Sequence, residues 1–234
     1  MGAVLDAAVD DARALVAAGF DAVIVENYGD VPFQAGRVSA TTVAALTAAV
    51  QAVRSASAVP VGVNVLRNDA ASALGVAAAT GASFVRVNVH VGSMWTDQGL
   101  LHGQADDTLR LRKTLGLDDV ALLADVHVKH AVPPTGSTLE AAAADCWHRG
   151  LADGLLVTGS GTGVSTSIED VAVVRAAVPE SPVVVASGVT AATVRDCLHV
   201  ADGVIVGSAV MRGGVAGSTV DPERARALVH AARD

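Results

Sequence analysis

The sequence contains few aromatic, basic and cysteine residues, and each shortage excludes a class of function. Aromatic residues make up 3% of the 234 residues, and 16 Lys and Arg stand against 24 Asp and Glu, for a formal net charge of −8. A nucleic-acid surface needs basic residues, often interleaved with aromatic ones, so no nucleic-acid partner is expected. The two cysteines, Cys146 and Cys197, show no framework spacing. This predicts reduced thiols and a cytoplasmic location.

Long apolar runs and targeting signals are also missing. No uninterrupted apolar stretch reaches the roughly 18 residues that a membrane span requires, so no span is predicted. The first residues, MGAVLDAAVDDARALV, include acidic side chains and no basic segment, unlike a secretory signal. Hydrophobic residues nevertheless make up 51% of the chain and charged residues 17%. That composition predicts a folded chain, which we interpret as a single domain over residues 1–234.

Short apolar segments alternate with helical segments along the chain. The predicted strands are 21–27, 59–66, 83–90, 121–130, 154–160, 182–188 and 203–208. The predicted helices are 3–18, 41–55, 68–80, 106–115, 138–149, 168–178, 191–198 and 222–232. Two long loops, 28–37 and 91–104, are predicted to act as lids.

This alternation of strands and helices predicts parallel βαβ units with right-handed crossovers. Strand starts lie about 20 to 40 residues apart, as a TIM (β/α)8 barrel requires. A doubly wound open sheet is the alternative, but no strand is followed by a GxGxxG fingerprint. We therefore predict a barrel of seven strands and eight helices that lacks its first strand. A truncated chain and a barrel open at that position both remain compatible with the sequence.

Several strands have one apolar phase and one polar phase. In a parallel barrel the apolar phase faces the helices, so the polar phase is expected inside, near the carboxyl ends of the strands where barrel active sites lie. The predicted interior set is Glu26, Asn64, Arg86, Asn88, His90, Asp125, His127 and Lys129. The alternative interpretation is a structural ion-pair network, such as Arg86 with Glu26 or Asp125.

Five members of this set can carry acid/base chemistry. The candidate catalytic residues are Glu26, His90, Asp125, His127 and Lys129. Lys129 is also a candidate for a Schiff base, and the alternative is a salt bridge or a contact with a phosphate. His90, Asp125 and His127 are candidate ligands for a divalent metal, although no HxH or HExxH motif supports this, and no other cofactor is predicted. Asn64, Arg86 and Asn88 are assigned to substrate binding.

The last three strands end in small residues instead of charged ones. Glycine and serine at strand ends leave backbone amides free to hold an anion, and barrel phosphate sites are commonly built there. The predicted phosphate-binding residues are Ser160, Gly161, Gly163, Ser187, Gly188, Gly207 and Ser208. Tight turns that need glycine are the alternative explanation.

Five blocks of the sequence resemble the BtpA/SgcQ family. They are VIVENYGDVPF (Val23–Phe33), Arg86–Gly116, LADVHVKHAVPP (Leu123–Pro134), LLVTGSGTG (Leu155–Gly163) and VIVGSAVMRGG (Val204–Gly214). The resemblance implies a ribulose-phosphate-binding type of barrel, and the family name comes from a member implicated in photosystem I biogenesis. Members usually begin with a strand of HLPPLPG type, which this chain lacks.

Together, these features predict a phosphate-binding barrel that acts on a small phosphorylated sugar or related metabolite. The expected chemistry is proton transfer, as in an isomerase, epimerase or aldolase. A non-catalytic assembly factor for photosystem I is the alternative that the resemblance implies. The sequence leaves the substrate, the reaction and the oligomeric state open, including a homo-oligomer.

Overall fold

Valine-rich segments form the strands of this protein and alanine-rich segments form most of its helices, as their propensities favour. The computed structural model describes residues 1–233. The helices are α1 (Gly2–Ala18), α2 (Ala40–Ala56), α3 (Ala70–Thr80), α4 (Ala105–Thr114), α5 (Leu139–Ala144), α6 (Ile168–Ala177), α7 (Val194–Val200) and α8 (Pro222–Arg233). The strands are β1 (Val23–Glu26), β2 (Val61–Asn64), β3 (Phe84–Val87), β4 (Ser93–Thr96), β5 (Gly99–His102), β6 (Ala121–Val126), β7 (Ala131–Val132), β8 (Gly154–Val157), β9 (Val183–Val185) and β10 (Gly203–Val204).

Seven of the strands form one parallel sheet in the order β1-β2-β3-β6-β8-β9-β10. This order follows the chain without reversal, unlike a doubly wound sheet, so the predicted barrel-type fold with seven parallel strands and eight helices is confirmed. Within residues 1–233, the outer edges of β1 and β10 have no hydrogen-bonded neighbour. Helix α1 packs against both α2 and α8, so the layer of helices continues across the gap in the sheet.

The two faces of the sheet are filled differently. The helix-facing phase is apolar, and its valines, among them Val63, Val85 and Val185, are completely buried in the main core. On the interior face the lower positions are apolar as well. A side chain at Gly62 would lie 2.1 Å from the ring of Phe84, so glycine is needed there for the ring to fit. The polar residues are therefore confined to the upper, carboxyl-terminal part of the interior.

Several predicted segment boundaries are wrong. The predicted strands 154–160, 182–188 and 203–208 end early, at Val157, Val185 and Val204, and α5 ends at Ala144 instead of 149. Three further differences affect the site. Loop 91–104 contains the β4–β5 hairpin, which joins β7 in a three-stranded antiparallel sheet. The predicted strand 83–90 ends at Val87, and the predicted strand 121–130 ends at Val126. In the second case the reason is local, because His127 and His130 have φ values of 52° and 56°, which no strand residue adopts. No helix within residues 1–233 is both long and apolar enough to cross a membrane.

Candidate functional site

A buried ion pair between Arg86 and Asp125 occupies the centre of the sheet interior. Arg86 Nε donates to Asp125 Oδ1 at 3.1 Å, and Arg86 Nη2 donates to Asp125 Oδ2 at 3.0 Å. Asn88 Nδ2 donates to the same Oδ2 at 2.7 Å. The Arg86 side chain is 3% exposed and that of Asp125 is 0% exposed. Two parallel bonds of this kind form the strongest common ion-pair geometry, so this pair fixes the centre of the site.

Glu26 lies beside this pair but remains accessible. Its Oε1 accepts a hydrogen bond from Asn64 Nδ2 at 3.2 Å and lies 3.6 Å from Arg86 Nη1, while 24% of the side chain is exposed. The strand register brings the three together, because Glu26 pairs with Asn64 and Asn64 pairs with Arg86 on adjacent parallel strands. Burial alone would lower the pKa of Arg86, but the carboxylates of Asp125 and Glu26 raise it.

Lys129 joins this cluster from the loop after β6. Its backbone carbonyl accepts a hydrogen bond from Arg67 Nη2 at 2.6 Å. Its ammonium group has no hydrogen-bond or ion-pair partner among the described residues, which leaves it available to a ligand. Burial and the nearby charge of Arg86 lower the pKa of Lys129, with Glu26 and Asp125 opposing that change.

His90 does not lie in the interior cluster, contrary to the prediction. Its ring is buried against the π-helical turn Asp145–Arg149 that follows α5, where Nε2–H donates to the carbonyl of Gly150 at 2.7 Å. Its Nδ1 is buried without a partner, and burial lowers the pKa of the ring. Strict strand alternation would place His90 beside Asn88, but β3 has already ended at Val87.

His127 is also directed away from the cluster. Its Nε2 forms a 3.0 Å hydrogen bond with the hydroxyl of Ser137 in the loop before α5, and the residue is half-buried. Its left-handed backbone conformation ends the alternation of β6, so Asp125 and His127 no longer share a face. Burial lowers the pKa of His127, and the charge of Asp170 opposes this. Of the five candidate catalytic residues, the structure brings together Glu26, Asp125 and Lys129.

The proposed metal-ligand set is separated for the same reasons. His90 bonds to Gly150, His127 bonds to Ser137, and both oxygens of Asp125 accept hydrogen bonds from Arg86 and Asn88. Among residues 1–233, no group of three or more His, Cys, Asp or Glu side chains is arranged to hold a metal ion. The structure therefore does not bring these three candidate ligands together.

The ends of β8, β9 and β10 form a second feature of the mouth, a cavity of about 490 Å³. Three predicted phosphate-binding residues line it, namely Gly163, Gly188 and Ser208. Gly163 and Gly188 have φ values of 76° and 65°, a backbone conformation that favours glycine. Arg224, in the first turn of α8, also lines the cavity and donates through Nη1 to the carbonyl of Ala209 at 3.2 Å. The lining residues are thus mostly small or apolar, with one cation.

The other four predicted phosphate-binding residues do not line this cavity. Ser187 is buried, and its hydroxyl donates to the carbonyl of Gly161 at 3.1 Å, which holds the β8–α6 loop in place. The carbonyl of Ser160 accepts from the backbone N–H of His130 at 3.0 Å. Gly207 immediately precedes the 3₁₀ turn that carries Ser208. These residues shape the loops around the cavity.

Sequence reasoning missed two cations, Arg67 and Arg224. Arg67 lies three residues beyond β2 and is 4% exposed, and Asn27 anchors the adjoining backbone by bonding to both N–H and C=O of Leu66. Its position after a strand carboxyl end was a usable signal, since barrel sites gather there. Arg224 lies on an amphipathic helix, and nothing in its local pattern distinguishes it from an ordinary surface arginine.

Solved structures of two enzymes share this fold. N-(5'-phosphoribosyl)anthranilate isomerase from Pyrococcus furiosus superimposes with a TM-score of 0.62 over 96% of this chain and 94% of its own, at 18% identity. Thiamine phosphate pyrophosphorylase from the same organism superimposes with a TM-score of 0.61 over 96% of this chain and 89% of its own, at 16% identity. At such low identity the likeness establishes the barrel fold alone.

Sequence relatives are much closer. Photosystem I biogenesis protein BtpA of Synechocystis sp. is 44% identical over 98% of this chain and 79% of its own length. An uncharacterised protein of Pyrococcus furiosus is 43% identical over 97% of this chain and 84% of its own. The sequence profile of the BtpA family matches residues 1–234. This chain therefore belongs to the BtpA family.

Proposed function

We propose that this protein binds a small sugar phosphate and catalyses proton transfer on it, as an isomerase, epimerase or aldolase-type lyase does. One observation carries the proposal: the cavity formed by Gly163, Gly188 and Ser208 shares the mouth of the barrel with the charged cluster at Glu26 and Lys129. A phosphate in the cavity would leave the sugar carbons free to reach that cluster. Two enzymes of the same fold have names that describe phosphorylated compounds.

Glu26 is the carboxylate best suited to accept the proton. Asp125 is fully enclosed and already accepts three hydrogen bonds, whereas about a quarter of the Glu26 side chain is exposed to the mouth. Glu26 would take a proton from the carbon next to a carbonyl group and return it to the ligand. The positive charge of the cluster beside Glu26 would stabilise the negative charge that develops on the carbonyl oxygen.

Phosphate binding can be tested by a matched pair of variants at Gly163. Asn and Asp both tolerate the left-handed backbone of this residue and have nearly the same shape, so Gly163→Asn and Gly163→Asp differ chiefly in charge. We expect Gly163→Asp to bind ribose 5-phosphate and ribulose 5-phosphate at least about tenfold more weakly than Gly163→Asn, because its carboxylate repels the phosphate. Isothermal titration calorimetry measures both, with ribose as the unphosphorylated control. Equal binding by the two variants would place the phosphate elsewhere.

Proton transfer can be tested separately from binding. The protein is incubated with ribulose 5-phosphate in D₂O, and exchange of carbon-bound hydrogen is followed by proton NMR. We expect Glu26→Gln to slow this exchange by about a hundredfold or more while ribulose 5-phosphate still binds. Exchange at the wild-type rate in this variant would show that Glu26 is not the base.

A role as a non-catalytic assembly factor is the second candidate, and one surface favours it. Trp95 pairs with Leu100 on one side and Val132 on the other in the three-stranded sheet, and the three side chains are 56%, 38% and 64% exposed. An apolar stripe of this kind suits a protein partner. The name of the Synechocystis relative gives photosystem I as the partner to test. Co-purification with photosystem I, lost in Trp95→Ser and unaffected by Gly163→Asp, would support this role.

A further inference from the structure

The charged cluster in the mouth contains more cations than carboxylates. Arg67, Arg86 and Lys129 lie within electrostatic reach of Glu26 and Asp125, which gives an excess of one positive charge. Arg86 is neutralised by Asp125 and approached by Glu26. Arg67 and Lys129, by contrast, have no carboxylate within ion-pair distance among residues 1–233. Asp97 influences Arg67 from the β4–β5 turn but is exposed, so solvent screens its charge.

Arg67 is held in place and is not a mobile surface cation. Its side chain is buried, Nη2 donates to the carbonyl of Lys129, and its backbone follows the Leu66 peptide that Asn27 anchors. Its Nε and Nη1 donate to no group in the described part of the chain. Burying a guanidinium group without a counter-ion is unfavourable, and burial lowers the pKa of Arg67 accordingly. The arrangement is therefore suited to binding an anion.

We propose that the ligand carries a carboxylate in addition to its phosphate, and that Arg67 and Lys129 bind this carboxylate. The inference rests on the proposed function, since the phosphate is assigned to the cavity of Gly163, Gly188 and Ser208. A carboxylate carries a single negative charge and so matches the excess of one positive charge, whereas a second phosphate would exceed it. The two cations come from different loops, those after β2 and β6, so they would contact the carboxylate from two sides. The substrate class is thus a phosphorylated sugar acid.

Two pairs of compounds measure the contribution of the carboxylate to binding. 6-Phosphogluconate and sorbitol 6-phosphate differ only in carboxylate against CH₂OH, and 3-phosphoglycerate and glycerol 3-phosphate are a shorter pair of the same kind. We expect the acid of at least one pair to bind wild-type protein about tenfold or more tightly than its alcohol, as measured by calorimetry. The preference should fall to about threefold or less in Lys129→Met and in Arg67→Gln. Lys129→Met is the decisive variant, since its ammonium has no partner whose loss could disturb folding.

The outcomes distinguish failure of the carboxylate inference from failure of the proposed function. If phosphorylated compounds bind but acid and alcohol bind equally, the carboxylate inference is wrong and the proposed function stands. If fructose 1,6-bisphosphate binds more tightly than 6-phosphogluconate and this depends on Lys129, the second group is a phosphate and the carboxylate assignment is wrong. If no phosphorylated compound binds, both proposals fail. Arg110→Gln, on the outer helix α4, is the control that should keep the wild-type preference.

Discussion

The two halves of the barrel mouth are built in opposite ways. In the half formed by β1, β2, β3 and β6, charged and amide side chains project from the strands or the loops just after them and hold one another through ion pairs and hydrogen bonds. In the half formed by β8, β9 and β10, the cavity is lined mostly by small or apolar residues and by a single arginine. The first half is positioned by strand register and the second by the path of three loops.

This difference suggests a division of labour between the halves. A buried ion pair such as Arg86–Asp125 keeps a rigid geometry, because moving either member would leave an unpaired charge in the interior. A glycine-lined cavity accepts a group through backbone amides and excludes side chains by shape. Substitutions should therefore affect the charged half mainly through electrostatics, and the glycine-lined half mainly through sterics and backbone strain.

The largest expected effect is the loss of the central ion pair. Asp125→Asn removes the charge but keeps the shape, and it leaves Arg86 buried without its bidentate partner. We expect a loss of about 3–5 kcal/mol in the free energy of unfolding, measured by urea denaturation. The matched control is Asp106→Asn, which removes the same charge from an exposed pair with Arg110 on α4 and should change stability little. Equal effects for the two variants would mean that the charged half does not depend on its electrostatics.

A steric substitution at Gly188 tests the other half. A Cβ there would lie 2.4 Å from the backbone of Val164 and Ser165, and φ is positive, so the β8–α6 loop would have to move. We expect Gly188→Ala to destabilise the protein by about 1–3 kcal/mol. Gly75→Ala in α3 is the control, since nothing lies within 4 Å and alanine should stabilise the helix by about 0.5–1 kcal/mol. Urea denaturation measures the free energy of unfolding of both variants. An unchanged free energy of unfolding in Gly188→Ala would contradict the close loop packing.

The smallest expected effect concerns the pH dependence contributed by His90. Burial lowers its pKa below 6.5, so at mildly acidic pH the unfolded chain binds a proton that the folded protein does not. Stability should therefore fall as pH decreases below about 6.5, by at most about 1.4 kcal/mol per pH unit for this group, and His90→Gln should reduce that slope. Urea denaturation between pH 7 and pH 5 measures it. A histidine beside Asp125 would have a raised pKa, and stability would then increase as pH decreases. Such an increase, lost in His90→Gln, would mean that His90 lies beside the carboxylates of the charged half.

The parts of the site that lie within strands could be predicted from the sequence. Glu26, Asn64, Arg86 and Asp125 belong to strands whose apolar and polar residues alternate, and the structure brings them together as that alternation requires. The structure also places Asn88 and Lys129 in the cluster, although both lie beyond the strand ends. It does not place His90 and His127 there. Beyond the end of a strand the two-residue period no longer fixes where a side chain lies, and a left-handed residue such as His127 interrupts it.

The sequence by itself determines the architecture of this protein, because the alternation of valine-rich and alanine-rich segments permits few arrangements other than parallel strands covered by helices. It also determines which residues of each strand face inward. Tertiary structure alone decides what joins them: Arg67 enters the charged half through a loop held by Asn27, and Arg224 reaches the cavity of Gly163, Gly188 and Ser208 from α8. The physical reason is that loop paths depend on contacts between residues distant in sequence, which no local pattern records.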